Sequence, residues 1–248
     1  MRSWKEKTNR GGFRSHSESL LESMEKKVFW QKQYRCGLCG AEFRALRIFD
    51  KAIRLKQRDL FLRAIYDYPD PQHYAIIVCP ECFYSAFDKD YAAMPEKLNA
   101  QRTFQLQNAL KKAKESLHLS LAEDRTLKEV IDIYSLAVVT YRIAEEPFKM
   151  AQLYLKLGWF YLEDNNRDKA AIALSKSYGY FLETYERGRV SEEADGILFC
   201  LASIQIFLKN VSEGFRWLER LTQDYKNTNS PYLTAGKALW EDFRGKKT

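Results

Sequence analysis

Two stretches decide how the first part of this chain folds: QYRCGLCGAEFRAL at Gln33–Leu46 and YAIIVCPECFYSAFDKDY at Tyr74–Tyr91. Each contains a Cys-x-x-Cys pair, and together the pairs account for four of the five cysteines in 248 residues. In a knuckle of this kind two thiolates converge on one ion, and four such ligands in a tetrahedron suit zinc. The sequence therefore predicts one structural Zn²⁺ ion with the ligands Cys36, Cys39, Cys79 and Cys82.

A site with four thiolate ligands leaves no coordination position for water, so it stabilises a fold and does not catalyse. The same knuckles also bind iron, which stays open as an alternative to zinc. A thioredoxin-like redox pair is a weaker alternative, because that chemistry expects one Cys-x-x-Cys at a helix start and not two at strand ends. The chain shows no Ser-His-Asp set, nucleophile elbow or phosphate loop, so we predict a protein that is not an enzyme.

Other reactive side chains receive structural interpretations. Cys200 lies in the apolar run ILFCLAS, so we predict that it is a buried core thiol. His73 precedes the second knuckle. We predict that it is a surface loop histidine, since four cysteines already complete a metal site. Several aspartates occur in the front part of the chain, and nothing in their spacing pairs them as an acid and a base: Asp59, Asp67, Asp70, Asp88 and Asp90.

The region around the two knuckles, residues 28–94, predicts a zinc-ribbon-like β module. Short runs rich in aromatic and β-branched residues, such as KVFWQKQYRC, EFRALRIF and HYAIIVC, are separated by Gly, Pro and Asp. The 39 residues between the pairs predict an insertion that includes the loop YDYPDPQ. Residues 1–27 predict a flexible basic tail and a short helix at Ser17–Lys27. We expect four aromatic residues to shield the sulfurs: Tyr34, Phe43, Tyr74 and Phe83.

The remainder, residues 95–248, predicts an all-α domain. Apolar residues recur at spacings of three and four, and the connections are short and contain turn formers or caps. The predicted fold class is thus α+β, with a small β module followed by tetratricopeptide-like helical hairpins. The predicted helices span Glu96–Leu119, Leu127–Ile143, Phe148–Glu163, Arg167–Arg187, Glu192–Leu208, Ser212–Tyr225 and Pro231–Phe243.

The segment MAQLYLKLGWFYLEDNNRDKAAIALSKS indicates a tetratricopeptide-like repeat. It has an aromatic residue followed by Leu-Gly and Tyr, and then a small residue in the next helix. Gly158 and Ala170 are the small residues expected to let the two helices approach closely. A degenerate second copy has Ala202 and Gly214 at the corresponding places, 44 residues on from Gly158 to Ala202, so the helix between the copies is overlong.

Helical hairpins of this type present a concave face to a partner. We expect this face to engage a protein or peptide, with Trp159 as the main anchor, because aromatic residues in grooves often anchor a partner segment. Packing of Trp159 within the fold stays open as an alternative, as does self-association of the chain. The predicted partner-binding residues are Gln152, Leu155, Trp159, Leu162, Phe199 and Ile206.

The net charge of +7 is uneven along the chain. The first 120 residues contain 22 Lys and Arg against 14 Asp and Glu, whereas the remainder contains 18 against 19. Nucleic-acid binding by the basic front module is therefore an alternative function.

No apolar run reaches the roughly 18–20 residues that span a membrane, and no signal peptide is evident. We expect a cytoplasmic protein without a membrane partner, in which clustered cysteines are metal ligands and not disulfides.

The order of these motifs resembles a family of uncharacterised bacterial proteins with paired Cys-Pro-x-Cys-Gly knuckles and a tetratricopeptide-like C-terminus. The resemblance covers Phe29–Tyr225 and rests on CGLCGAEF, Arg58-Asp59, the Pro-x-x-Tyr at Pro71–Tyr74, VCPECFYSAF and AQLYLKLGWFY. This chain departs from the pattern where Gly37 replaces a proline and Phe83 replaces a glycine, and phenylalanine resists a positive φ. The resemblance implies metal binding through the four cysteines and a cytoplasmic location, and it implies no activity.

Together these features predict a non-catalytic, zinc-binding adaptor or scaffold that engages a protein partner through helical repeats. Nucleic-acid binding is the first alternative. The second is a thiol and zinc redox sensor that releases its ion when the thiols are oxidised, and the exposure of the sulfurs would decide it.

Overall fold

The computed structural model describes residues 28–188 and 193–245, so the predicted tail and short helix of residues 1–27 lie outside the described residues. Within these described residues six short β-strands come first and seven α-helices follow, which confirms the predicted α+β class. Within the described part of the chain, every helix is too short or too polar to cross a membrane. The strands are β1 Phe29–Arg35, β2 Glu42–Ile48, β3 Leu55–Arg58, β4 Ala64–Tyr66, β5 Ile76–Val78 and β6 Ser85–Phe87.

The strands form three separate antiparallel hairpins, β1–β2, β3–β4 and β5–β6. The first Cys-x-x-Cys pair lies in the turn between β1 and β2, where Arg35 pairs with Glu42. The second pair lies in the turn between β5 and β6, where Val78 pairs with Ser85. The β3–β4 hairpin and a 3₁₀ turn at Pro71–Tyr74 form the predicted insertion between the knuckles.

The helices agree with their predicted bounds within about two residues, with α1 as the exception. Pro95 begins a 3₁₀ turn at Pro95–Lys97 and not the helix itself. The helix starts after Asn99, whose side chain accepts a 2.9 Å hydrogen bond from the Arg102 N–H and so caps the first turn. The helices are α1 Ala100–Ser116, α2 Leu127–Ile143, α3 Pro147–Glu163, α4 Arg167–Glu186, α5 Ala194–Phe207, α6 Val211–Tyr225 and α7 Pro231–Gly245.

The strand module and the first helices share one hydrophobic core. Its largest cluster joins Ile77 and Tyr84 of the strand region to Ile133 of α2 and Phe160 of α3, and all four side chains are buried. Two further clusters lie among α3–α5 and among α5–α7. The front hairpins are therefore packed onto α2 and α3, and α5–α7 have apolar contacts of their own.

The small residues singled out in the helical sequence lie where helices approach closely. A Cβ atom on Gly158 of α3 would meet Leu174 Cγ of α4 at 2.7 Å, and one on Gly214 of α6 would meet Ile206 Cγ1 of α5 at 2.5 Å. Ala170 and Ala202 are fully buried. The helix pairs α3–α4 and α5–α6 thus pack at distances that larger residues at Gly158 and Gly214 would prevent.

Candidate metal centre and cleft

The four predicted cysteine ligands converge at one point. The Cys36 and Cys82 sulfurs are 3.6 Å apart, the Cys39 and Cys79 sulfurs are 3.7 Å apart, and all four lie within 4.8 Å of one another. A tetrahedral ion with metal–sulfur bonds of about 2.3 Å holds its sulfurs about 3.8 Å apart. The cluster therefore fits one ion bound by four thiolates, and Cys36, Cys39, Cys79 and Cys82 would hold it.

Both knuckles have the same backbone hydrogen bonds. In the first, Cys36 N–H donates to Ala41 O and Gly40 N–H donates to Cys36 O, each at 2.8 Å. In the second, Cys79 N–H donates to Tyr84 O and Phe83 N–H donates to Cys79 O, each at 2.9 Å. The two hairpin turns are thus built alike, and each turns its pair of sulfurs toward the other.

The equivalence extends to the residue after each pair, although the sequence raised doubt about the second. Gly40 has φ +79°, and Phe83 has φ +60° at the corresponding place. The left-handed conformation costs a non-glycine residue about 1–2 kcal/mol. Phe83 is 6% exposed, and Lys114 of α1 places its ammonium 5.6 Å from the ring centre. Burial of the ring and its contact with Lys114 offset the backbone cost.

Contacts with the segment before α1 explain why glycine stands at position 37, where the family pattern has proline. A Cβ atom on Gly37 would lie 3.0 Å from Pro95 Cγ, so a proline in this position would collide with the 3₁₀ turn at Pro95–Lys97. Lys114 of α1 also donates a 2.5 Å hydrogen bond to Glu81 O of the second knuckle. Both knuckles are therefore covered by the segment that leads from the module into the helices.

Aromatic residues shield the sulfurs, but not all of those predicted. Tyr34 and Phe43 stack with ring centres 5.8 Å apart, and both contact Tyr91 edge-on. The rings of Tyr91 and Tyr84 are 4.8 Å apart and fully buried. Tyr74 instead packs against Phe29 and Arg125, away from the cysteines, and donates to the Glu123 carbonyl. Tyr84 and Tyr91 take its expected place.

Burial of the four cysteines is unequal. Cys36 and Cys79 are buried, Cys82 is half-buried and Cys39 is exposed. Hydrogen bonds from the thiols of Cys79 and Cys82 lower the pKa of Cys36, and the contact with Cys36 raises the pKa of Cys79 to about 11. The contacts among these sulfurs thus favour a thiolate at Cys36 and disfavour one at Cys79, and a bound divalent cation would stabilise thiolates placed side by side.

The aspartates after β6 connect elements and show no acid–base arrangement. Asp88 accepts a 2.6 Å hydrogen bond from Tyr34 Oη and pairs with Lys32 at 3.1 Å. Burial raises the pKa of Asp88, but the hydrogen bonds from Tyr34 and Lys32 outweigh this effect and hold the pKa below its ordinary value. Asp90 accepts a 2.7 Å hydrogen bond from Tyr141 Oη of α2. These carboxylates join the hairpins to one another and to the helices.

A second candidate site is a cleft between the β3–β4 turn and helices α3, α4 and α5. It has a volume of about 530 Å³. The structure places five of the six predicted partner-binding residues in its walls: Gln152, Leu155, Trp159, Leu162 and Phe199.

The sixth predicted residue, Ile206, lies elsewhere. It is 3% exposed and packs against Gly214, because α6 approaches this part of α5 closely. Ser203, Ile204 and Phe207 of the same helix reach the cleft instead. Trp159 is half-buried, so both the docking and the packing interpretations of its side chain describe part of its surface.

Comparison with known proteins identifies the family of this chain. The model of a family described as an uncharacterized protein conserved in bacteria, DUF2225, matches residues 29–242. The chain belongs to this family. An uncharacterized protein of Borreliella burgdorferi is 23% identical to this DUF2225 chain over 172 residues, which cover 63% of the chain and 59% of the relative. The chain thus spans less than two thirds of that relative's length. No solved structure matches this DUF2225 chain.

Two polar residues of the DUF2225 cleft were not predicted as functional. Lys156 of α3 has its pKa lowered to about 8, mainly by burial, and Cys200 of α5 has its pKa raised to about 12, also by burial. Cys200 was predicted as a core thiol, and the structure shows that it lines the cleft. The available signal was a lysine within the apolar helix segment MAQLYLKLGWFY, three residues before Trp159.

His73 is also less exposed than predicted. Its ring packs edge-on against Phe160 of α3 with centres 5.6 Å apart, and its backbone carbonyl accepts a 2.7 Å hydrogen bond from Arg125. Burial lowers the pKa of His73. The residue belongs to the contact between the insertion and the helices and lies apart from the metal centre.

Proposed function

We propose that this chain is a non-catalytic adaptor or scaffold that binds a protein partner through its tetratricopeptide-like helices. One observation supports this proposal above the others. Residues chosen from the repeat pattern for partner binding, among them Gln152, Trp159 and Phe199, line one cleft of about 530 Å³. Clefts that combine aromatic walls with a few polar groups are the usual location of recognition sites.

The tetratricopeptide-like interpretation is supported by the helix packing. The close contact of Gly158 with Leu174, and that of Gly214 with Ile206, lie at the positions where the repeat pattern requires small residues. In such repeats the inner helices form the binding surface. Here α3 and α5 contribute most of the predicted residues of the cleft, which fits that role.

We further propose that the four cysteines bind a structural zinc ion in the cytoplasm. Zinc accepts four thiolates in a tetrahedron without redox change, and a reducing compartment keeps the thiols available. Elemental analysis of the purified chain should give one zinc per molecule. A result of one iron per molecule, together with absorption of visible light, would show that the site binds iron and not zinc. The mass in solution, measured on the same sample, would show whether the chain self-associates.

Partner capture tests the adaptor function. Binding proteins recovered from bacterial extract with the wild-type chain should be lost with Trp159→Ala. Trp30→Ala is the matched control, because Trp30 is 39% exposed on β1 and lies outside the cleft. Equal recovery by wild type and Trp159→Ala would remove the cleft from the proposed function.

The charges of the front module favour a protein partner over nucleic acid. Residues 28–94 contain ten Lys and Arg against eight Asp and Glu. Four thiolates around a divalent ion would remove the remaining excess of positive charge. A shift in the electrophoretic mobility of DNA or RNA on adding the protein, which weakens as the salt concentration rises, would support the nucleic-acid alternative.

The exposure of Cys39 favours redox sensing as a second candidate function. Cys39 is an exposed residue, and its sulfur lies 3.7 Å from that of Cys79. We propose that hydrogen peroxide oxidises this thiolate pair: the O–O bond breaks, two electrons and two protons pass to the oxygens to give two water molecules, and a disulfide forms in place of two metal–sulfur bonds. Zinc release measured with a chelating dye during peroxide treatment tests this function. Retention of zinc at peroxide levels that oxidise free cysteine would contradict it.

A further inference from the structure

The cleft contains a half-buried cation beside an aromatic ring. Lys156 Nζ lies 4.2 Å from the ring centre of Trp159. It also donates a 2.5 Å hydrogen bond to Gln72 Oε1, and Gln72 Nε2 donates in turn to Ala64 O at 3.1 Å and to Asp70 Oδ2 at 3.3 Å. The amide of Gln72 is thus held with its oxygen toward the ammonium. The insertion between the knuckles and helix α3 position this lysine together.

Among residues 28–188 and 193–245, no carboxylate forms an ion pair with Lys156. Nearby acidic groups have other contacts: Glu163 pairs with Arg63, and Asp59 accepts hydrogen bonds from two backbone N–H groups of its own turn. Asp70 attracts the ammonium at longer range, whereas Arg63 and Arg58 repel it. Removing an ammonium even partly from water is costly, and a carboxylate partner usually offsets this cost.

Most of the cleft lining around Lys156 is apolar, and the other charged side chains in it are Asp59, Arg63 and Glu193. Arg63 is paired with Glu163, so Lys156 offers a ligand a cation that is not already paired with a carboxylate. The volume lies within the range of about 300–1,000 Å³ that holds ligands in proteins. The aromatic lining residues other than Trp159 include Phe61, Phe148, Phe181, Phe199, Phe207 and Tyr232.

From this arrangement we propose that the partner segment bound in the cleft carries an acidic side chain next to a large apolar side chain. The carboxylate would accept a hydrogen bond from Lys156, and the apolar side chain would pack on Trp159 and the phenylalanine walls. This inference rests on the proposed function and adds the chemistry of the partner. A basic segment would place like charge beside the ammonium and is disfavoured.

A displayed library of random 12-residue peptides tests the inference directly. The metal-loaded chain is used as bait in four forms: wild type, Lys156→Met, Trp159→Ala and Lys176→Met. Lys156→Met keeps the length and apolar stem of the side chain and removes the charge. Lys176 is the matched control, because its ammonium also lies over an aromatic ring, 5.2 Å from the centre of Tyr154, but outside the cleft.

We expect wild type and Lys176→Met to select peptides with Asp or Glu beside Phe, Leu, Ile or Trp. Lys156→Met should select apolar residues without the acidic neighbour. A synthetic peptide of the selected sequence should bind roughly tenfold more weakly after Glu→Gln, which corresponds to about 1.4 kcal/mol, because the charge on the hydrogen-bond acceptor is lost. That loss should fall below about twofold with Lys156→Met as the receptor.

The outcomes separate the two proposals. Apolar peptides without acidic enrichment, or acidic enrichment that survives Lys156→Met, would overturn the inference and leave the docking cleft in place. Selection of no peptide, or selection that Trp159→Ala leaves unchanged, would overturn the cleft as a docking site and the inference with it. Metal content and helical circular dichroism of each variant confirm that it is folded.

Discussion

The two ends of the described chain are stabilised in different ways. The front hairpins contain strands of three to seven residues, and none of their three sheets has more than two strands. Isolated two-stranded sheets are at best marginally stable in water. Helices α5–α7, in contrast, bury their own cluster, which includes Leu198, Leu218 and Leu239. The front region brings together cysteines from distant positions that could share a metal, whereas the last helices are held by packing between neighbours.

Helix α2 is joined to the front region by hydrogen bonds as well as apolar contacts. Tyr134 Oη of α2 donates to Gln72 O at 2.8 Å, and Tyr141 Oη accepts from the Phe87 N–H at 3.1 Å while donating to Asp90. Because the front hairpins lack a large core, their docking onto α2 and α3 completes their fold. The cysteine cluster and the first helices therefore belong to one continuous core, and four predictions test how far a metal at the cysteines and the helix packing stabilise it separately.

The largest effect is expected from Cys79→Ser. Cys79 is fully buried, and structural zinc contributes roughly 10–16 kcal/mol of apparent binding free energy in small zinc domains. The variant should lose its single metal equivalent, and amides of β1, β2, β5 and β6 should exchange quickly with solvent. Amides of α5–α7 should stay protected. Hydrogen exchange with elemental analysis measures both effects.

Cys200→Ser is the control for Cys79→Ser, because Cys200 lies in the cleft and should leave the metal in place. Full protection of the front strands in a metal-free Cys79→Ser chain would show that packing on α2 and α3 suffices. Equal loss of protection in α5–α7 would show that the two ends unfold as one unit.

The second effect concerns Lys156, where the insertion meets α3. Burial lowers its pKa to about 8, so the folded state disfavours the ammonium. Below about pH 8 the full penalty applies, and between pH 8 and about 10.5 the unfolded chain binds more protons, so stability rises with pH. Lys156→Met should be more stable than wild type at pH 7, by as much as about 3 kcal/mol.

The advantage of Lys156→Met should shrink as the pH rises from about 8 to 10.5. Urea unfolding at pH 7, 9 and 10 measures this trend. A variant less stable than wild type at pH 7 would contradict the penalty, as would a difference that stays constant across this range.

The third effect sharpens the description of the last helices. Gly214→Ala should lower the free energy of unfolding by about 1–2 kcal/mol, because the added methyl group would lie 2.5 Å from Ile206 Cγ1 and 3.0 Å from Ala202 O. Gly179→Ala on α4 is the control, since open space surrounds its Cβ position. This control should raise stability by about 0.5–1 kcal/mol through helix propensity. Equal effects of the two substitutions in urea unfolding would contradict close α5–α6 packing.

The smallest effect is expected at the connection between the ends. Tyr141→Phe removes the hydrogen bonds to Asp90 and Phe87 and should cost about 1 kcal/mol. Tyr161→Phe is the control, because that ring lies at the helix surface beneath Lys169. Thermal unfolding of both variants measures the difference. A cost of zero at Tyr141 would mean that apolar contacts alone join the module to α2.

Local patterns carried much of what could be predicted. Each knuckle depends on two cysteines three positions apart, and the repeat motif around Gly158 depends on residues about one helix turn apart, so local spacing alone indicated both. The bounds of most helices followed from their caps. Asn99 displaced the start of α1 because its cap bond competes with the earlier turn at Pro95, and nothing in the sequence ranked the two signals. Contacts between distant segments left no such local trace.

Sequence by itself determined the four clustered cysteines, the α+β order and the family, since each depends on residue type and spacing along the chain. Only the tertiary structure decided that Phe83 adopts a positive φ beneath Lys114, that Ile206 turns to α6, and that Lys156 lies in the cleft beside Cys200. The physical reason is that backbone strain, burial and the pKa of a side chain depend on which distant groups surround it. Those neighbours are chosen by the folding of the whole chain.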